Sequence, residues 1–342
     1  MAAFTVALLA VLVALSELLL LPRILGAPRA LALMGWAATT ARVGDTPINA
    51  LGFTGDVPAL PKQPATLRVL TLGGSSMFNR RMTERLRTAL QRRYERPVEV
   101  LGAALRMHTS RASVIKYDFL SKYRFDVVLI YEGINDLWAN HVTPERFRDD
   151  YGHLSPWYIR APLLDHSLVA RVVFNRWVAK DTRAIEDFLR DPSAAAVNGA
   201  NFRSAVVLEN NLRALVERVR QDGGLPVLIT FAWYIPPDYS LAAFEAGKLG
   251  YVNPDKYDST AVEVWGPPAY VEEGLRLHND AVRRVARETG APLLDQEKML
   301  WGRAELFGDV CHFNEAGTVE FIGNVVDFLD RAGRDGVGPA AE

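Results

Sequence analysis

The sequence predicts a three-layer α/β/α fold around a central parallel sheet of about five strands. Three observations predict it. Short, apolar, mostly β-branched runs recur from Leu67 onward. A longer stretch with helical periodicity separates each run from the next. The runs also lack the polar alternation of half-exposed strands, as strands covered on both faces should.

In chain order, strands are expected over Leu67–Leu72, Val98–Leu101, Asp126–Tyr131, Pro226–Phe231 and Pro292–Leu294. Helices are expected over Met82–Tyr94, Ala112–Tyr123, Val206–Gln221 and Pro268–Thr289. Two long segments interrupt the alternation. Residues 139–204 hold helix-like stretches at Ser167–Val178 and Thr182–Leu189, and 232–267 is rich in aromatics and poor in periodicity. The second follows a strand, and long irregular loops of this kind are often lids or binding loops. Its aromatics, Trp233, Tyr234 and Trp265 among them, either line a substrate site or close the core.

The amino terminus differs in kind. Ala2 to Leu21 is twenty residues with Glu17 the only charge. A helix of about 20 apolar residues spans a bilayer core. A cleaved signal peptide is the rival reading, but no Lys or Arg precedes the run and it ends in Leu-Leu-Pro-Arg. The expectation is a retained single-pass anchor, with Glu17 near the end of the span where a carboxylate reaches the interface. A second apolar stretch, Ala30 to Ala41, is too short to span and reads as a membrane-surface segment. The organisation is then an anchor and juxtamembrane segment over 1–45 and a Pro- and Gly-rich linker or wrapping arm over 46–64. The main domain follows over 65–332, with insertions at 139–204 and 232–267, and a flexible tail over 333–342.

Composition excludes some classes. Lys and Arg number 39 against 40 acids, a net charge of −1, so there is no overall electrostatic case for nucleic acid. The basic cluster Arg80–Arg96 carries Glu84 and Glu95 among its arginines and reads as a solvated helix face. The single cysteine, Cys311, excludes an intramolecular disulfide and a cysteine-based metal site. No His and carboxylate residues stand at metal-ligand spacing, so no metal is expected. No phosphate loop is present either, because Gly73-Gly74 lacks the lysine and the glycine spacing of one.

The residues that can do chemistry lie at strand ends. The first strand runs into Gly73-Gly74-Ser75-Ser76, and reactive groups of a parallel sheet gather beyond the carboxyl ends of its strands. A serine hydroxyl needs a base to take its proton and donors to stabilise the oxyanion that forms. The third strand runs into Gly133-Ile134-Asn135-Asp136, where an Asn side chain can aim its NH₂ at an oxyanion, although Asn-Asp is also ordinary turn chemistry. Late in the chain, Asp309 and His312 stand three apart, a spacing that lets a carboxylate reach imidazole Nδ1 and fix its tautomer. Ser76 is the rival nucleophile, one residue deeper toward the helix. Asp165-His166 is a rival pair within an insertion, and Cys311 is read as a buried filler. His108, His141, His153 and His278 lack motif context.

In this order, Gly-Gly-Ser, Gly-x-Asn-Asp and Asp-x-x-His-x-Asn-x-x-Gly make residues 50–330 resemble an SGNH (GDSL-type) hydrolase of the Gly-Gly-Ser variety. The resemblance implies a flavodoxin-like fold and a serine esterase that needs no cofactor. It implies Ser75 as nucleophile and oxyanion donor, Asn135 as side-chain donor, His312 as base and Asp309 as its orienting acid. The family's remaining donor is a glycine N–H after the second strand. Matching "VEVLGAALRMHTS" puts Ala104 at that position, with Gly102 as the alternative. An Ala there serves if its φ is allowed and is strained if φ is positive.

The implied substrate is a small-molecule, glycan or lipid ester, including O-acetyl esters of envelope polysaccharide. Acyl transfer to such a polysaccharide and a non-catalytic scaffold are the alternatives. Arg23 and Arg29 follow the apolar run, which by the positive-inside rule favours a cytoplasmic domain. The resemblance favours the other side, and the expectation is an extracytoplasmic one.

Overall fold

The computed structural model describes residues 2–21, 42–43, 46–78, 80–178, 202–251 and 259–335. Six strands form one sheet: β1 (Thr54–Gly55), β2 (Leu67–Gly73), β3 (Val98–Gly102), β4 (Val127–Tyr131), β5 (Leu225–Ile229) and β6 (Leu293–Leu294). Their spatial order is β1-β3-β2-β4-β5-β6. Strands β2 to β6 are parallel, and β1 pairs antiparallel with β3 at one edge. The parallel strands therefore follow the flavodoxin-like order. The long helices are α1 (Ala2–Leu15), α2 (Arg80–Tyr94), α3 (Ser110–Leu120), α4 (Leu168–Val178), α5 (Ser204–Gln221), α6 (Pro268–Thr289) and α7 (Glu315–Asp335).

Period-two alternation along the buried strands divides the core in two. Val69, Val100, Leu129 and Val227 pack with Leu86 and Leu90 of α2 and Phe321 and Val325 of α7. Leu70, Leu72, Val128, Ile130 and Leu228 pack on the opposite face with α3, α5 and α6, through residues such as Tyr117, Leu212 and Val285. A fully buried apolar side chain contributes about 1.5–3 kcal/mol, so these two layers dominate the stability.

The topology also opens the site. The connection leaving β2 goes to β3 on one side, and the connection leaving β4 goes to β5 on the other. The ends of β2 and β4, in register at Gly73 and Tyr131, therefore flank the switch point where ligands bind in open α/β sheets.

Two expectations are corrected. The sheet has six strands rather than about five because β1 lies inside the segment expected to be a linker or wrapping arm. Thr54 pairs with Gly102, and Gly55 with Leu101. Two residues carry no readable periodicity. The contact needs Gly102, since a Cβ there would sit 2.2 Å from Thr54 Oγ1 and 2.6 Å from Thr83 Oγ1.

The second correction concerns the amino terminus. The α-helix ends at Leu15 and passes into a π-helical turn, Ser16–Leu20. Among the described residues, no helix is long and apolar enough to cross a membrane. Glu17, expected at a lipid interface, is buried in protein. Its carboxylate accepts Ser167 Oγ–H at 2.6 Å, and Leu168 N–H and Val169 N–H at 2.8 Å each, capping the start of α4. The single-pass anchor is overturned. With it go the membrane-anchored localisation and the support the anchor lent to a membrane partner and an extracytoplasmic side.

Ser75–Met77 forms a 3-10 turn of its own, and α2 begins at Arg80, two residues before the expected start at Met82. The apolar stretch Ala30–Ala41, the helix expected over Thr182–Leu189 and the tail beyond residue 335 lie outside the described residues.

Candidate active site

Beyond the carboxyl edge of the sheet lies a cavity of about 240 Å³ lined by Ser75, Arg106, Met107, Asn135, Trp138, Thr260, Val264, Trp265 and His312. Ser75 arrives directly from β2 on its 3-10 turn, held by the bonds Met77 N–H to Gly74 O (3.1 Å) and Phe78 N–H to Ser75 O (2.9 Å). Its Oγ is 2.9 Å from His312 Nε2. His312 Nδ1 is in turn 2.7 Å from Asp309 Oδ2. Asp309 is fully buried, and its Oδ1 accepts the N–H groups of Cys311 and His312 at 2.9 and 2.8 Å. Its Oδ2 also accepts Thr260 N–H at 2.8 Å. With its oxygens accepting three backbone N–H groups, Asp309 also meets the hydrogen on Nδ1, and Nε2 presents its lone pair to Ser75.

The imidazole is also electrostatically tuned. Burial by itself opposes its charged form, but the Asp309 carboxylate bonded to Nδ1 favours it, and the net effect raises its pKa above the usual 6.5. Burial pushes the Cys311 thiol up, so it is the thiol that packs beside the ring. Asp309, Cys311 and His312 bring three ligand-type atoms within 4.8 Å of one another. Both ring nitrogens and the carboxylate already serve the hydrogen bonds above.

Asn135 leaves β4 on a 3-10 turn, Ile134–Asn140. Its Nδ2 donates to His108 O at 2.9 Å and packs so close to Gly74 that a Cβ there would lie 2.5 Å away. Its neighbour Asp136 faces away from the cavity. Asp136 accepts Ser110 N–H at 2.9 Å at the start of α3, and Tyr151 O–H at 3.0 Å. The second half of the Gly-x-Asn-Asp motif therefore braces the turn that the first half uses.

Ala104 and Gly102 do not line the cavity. Ala104 is fully buried in the α2–α7 layer and is not among the positive-φ residues. Gly102 serves the β1 contact. Met107, three residues beyond Ala104, lines the cavity with φ 63°.

Of the three aromatics singled out, only Trp265 reaches the cavity. Trp233 donates Nε1–H to Glu297 at 2.9 Å in the core, and Tyr234 packs on Phe307 and Tyr251. Sequence reasoning missed Trp138, which stacks on Trp265 with centroids 6.0 Å apart. Its signal was its place three residues after Asn135, on the same turn. Asp165 pairs with Arg160 and Arg171 rather than with a base. His278 is structural, bonding Gly133 O at 2.9 Å and Ser204 Oγ at 2.8 Å.

A family model, that of the GDSL-like lipase/acylhydrolase family, matches residues 70–318. The chain belongs to this family. It is an enzyme, a GDSL-type acyl ester hydrolase. Solved structures similar to this GDSL-like chain include LAE5, an α/β hydrolase from the metagenome of Lake Arreo, Spain. That match has 15% identity, covers 77% of this chain and 94% of that one, and has a TM-score of 0.44. The acetylxylan esterase Axe2 of Geobacillus stearothermophilus matches at 12% identity, 78% and 96% coverage and TM-score 0.40. The lipase/acylhydrolase of Enterococcus faecalis matches at 11% identity, 78% and 96% coverage and TM-score 0.41. No curated protein matches the chain significantly.

Proposed function

We propose that the chain hydrolyses esters of short acyl groups, acetyl foremost, borne on a small-molecule or carbohydrate alcohol, with Ser75 as nucleophile. The observation that carries this is the unbroken hydrogen-bond series Ser75 Oγ–His312 Nε2 and His312 Nδ1–Asp309 Oδ2, at 2.9 and 2.7 Å, at the wall of a cavity. Ser75 Oγ attacks the ester carbonyl as His312 Nε2 takes its proton, and Asp309 stabilises the imidazolium. The oxyanion is met by Ser75 N–H and by the Asn135 N–H that His108 does not occupy. The loop donor is Met107 N–H rather than Ala104 N–H. Met107 is the loop residue that lines the cavity, and its left-handed φ is the conformation a glycine would favour. His312 then protonates the leaving alcohol, and water repeats the sequence on the acyl-enzyme.

Size supports a short acyl group. At about 240 Å³ the cavity is below the usual range for drug-sized ligands, and Trp138, Val264 and Trp265 form stiff apolar walls. Ser75→Ala is expected to lower hydrolysis of p-nitrophenyl acetate by about 10³-fold or more and to abolish labelling by a fluorophosphonate probe. Among p-nitrophenyl esters, acetate and butyrate are expected to exceed octanoate. Wild-type esterase activity in Ser75→Ala would remove this reading.

A further inference from the structure

An Asn side chain ends in two groups of nearly equal shape and opposite function, an acceptor oxygen and a donor NH₂. As an oxyanion donor, Asn135 works in one orientation and is useless in the other. Two contacts decide which it takes. On one side His108 O, an acceptor only, receives Nδ2–H at 2.9 Å. On the other, Trp265 Nε1–H, a donor only, gives to Oδ1 at 3.1 Å. A flipped amide would set carbonyl against carbonyl and NH₂ against N–H. Asn135 and Trp265 are both buried, so water does not relieve either clash.

We propose that Trp265 is a positioning residue. Through its indole N–H it locks the amide of Asn135 so that the remaining Nδ2–H faces the space beside Ser75. This rests on the esterase reading above. The strap that carries Trp265 is itself well fixed. Trp138 Nε1–H donates to Val264 O at 2.8 Å, and His141 Nε2 is 3.1 Å from Trp265 O. Tyr239 O–H accepts Val262 N–H at 3.0 Å and donates to Glu263 at 2.6 Å. At its other end, Thr260 N–H bonds the Asp309 oxygen that also holds His312. One short segment, 260–265, thus braces the acid of the relay at one end and the oxyanion donor at the other.

The test is a double-mutant cycle on the full chain with p-nitrophenyl acetate, measuring kcat and KM separately. Trp265→Phe is expected to lower kcat about tenfold with KM changed less than about twofold, and Asn135→Ala to lower kcat about 10²-fold. The decisive outcome is the double variant. If Trp265 acts through Asn135, Asn135→Ala/Trp265→Phe has the kcat of Asn135→Ala alone. Multiplicative effects, or wild-type kcat in Trp265→Phe, would overturn the proposal. Replacing Trp265 by 3-benzothienylalanine removes the N–H while keeping the shape of the indole. It serves as the second variant should Trp265→Phe fold poorly, and is read by the same criteria. Ser75→Ala run in parallel separates the two readings, since its activity tests the nucleophile and is indifferent to Trp265.

Discussion

Asp309 holds His312 at two points, with Oδ2 2.7 Å from Nδ1 and Oδ1 accepting the backbone N–H of His312 at 2.8 Å. One contact sets the ring and the other sets the turn that carries it. Asp309→Asn presents only one acceptor oxygen and places an NH₂ where an N–H already points. It is expected to lower kcat by about 10³–10⁴-fold, because His312 then offers Ser75 the wrong tautomer. Denaturant unfolding should also show a loss of about 1–3 kcal/mol from the buried donors left unmet. Wild-type kcat in this variant would show that His312 does not depend on Asp309.

The pH profile follows from the same pair. In the proposed mechanism His312 takes the Ser75 proton only when neutral. Its pKa is raised above 6.5, with burial opposing the shift and Asp309 driving it. Activity should therefore be lost as pH falls through that raised value, so the acid limb of kcat/KM should lie above pH 6.5. In Asp309→Asn the residual activity should show that limb moved to lower pH. A wild-type limb below pH 6 would contradict the tuning.

Gly74 is required by a side chain rather than by its own backbone angles. Its φ is −94°, which any residue can adopt, but a Cβ would sit 2.5 Å from Asn135 Nδ2 and 3.2 Å from His108 O. Gly74→Ala is expected to push the Asn135 amide aside. It should cost about 10²-fold in kcat, as loss of one oxyanion donor does, while the protein still folds. Near-normal turnover would mean that the amide can retreat without leaving its post.

Beneath the same turn, Lys116 Nζ donates to Gly73 O at 3.1 Å, and Glu132 accepts from Ser113 Oγ. Both groups are buried. Burial lowers Lys116 to about 8, with Glu132 opposing, and raises Glu132 to about 8, with Lys116 opposing. In Lys116→Met, Glu132 loses its counter-charge. A carboxyl whose folded pKa is raised contributes stability that is fully present below its unfolded pKa, about 4.5, and is lost as pH rises through the folded value. Lys116→Met is therefore expected to cost more stability at pH 9 than at pH 5, where Glu132 stays protonated without the lysine. Equal losses at both pH values, measured by urea unfolding, would exclude an electrostatic origin.

Much of the fold was legible because its signals are local. The run Leu67–Leu72 reads as a strand from its own composition and forms β2, Leu67–Gly73. Pro268–Thr289 reads as a helix with both ends where α6 has them. Glu17 was misread for the same reason. Its local surroundings are lipid-like, and its partners Ser167, Leu168 and Val169 lie some 150 residues away. In the loop after β3, the residue that lines the cavity is Met107, three beyond the expected Ala104. Nothing in "ALRM" marks Met107, rather than Ala104, as the residue that turns into the left-handed region and lines the cavity.

The sequence by itself determined the alternation of strand and helix, and singled out Ser75, Asn135, Asp309 and His312 as candidates, because periodicity and motif spacing act over a few residues. Tertiary structure alone decided the edge strand Thr54–Gly55, the capping role of Glu17 and the meeting of Trp265 with Asn135 across 130 positions. Contacts of that kind arise where the sheet's winding brings separate loops to one edge, and no stretch of chain encodes them alone.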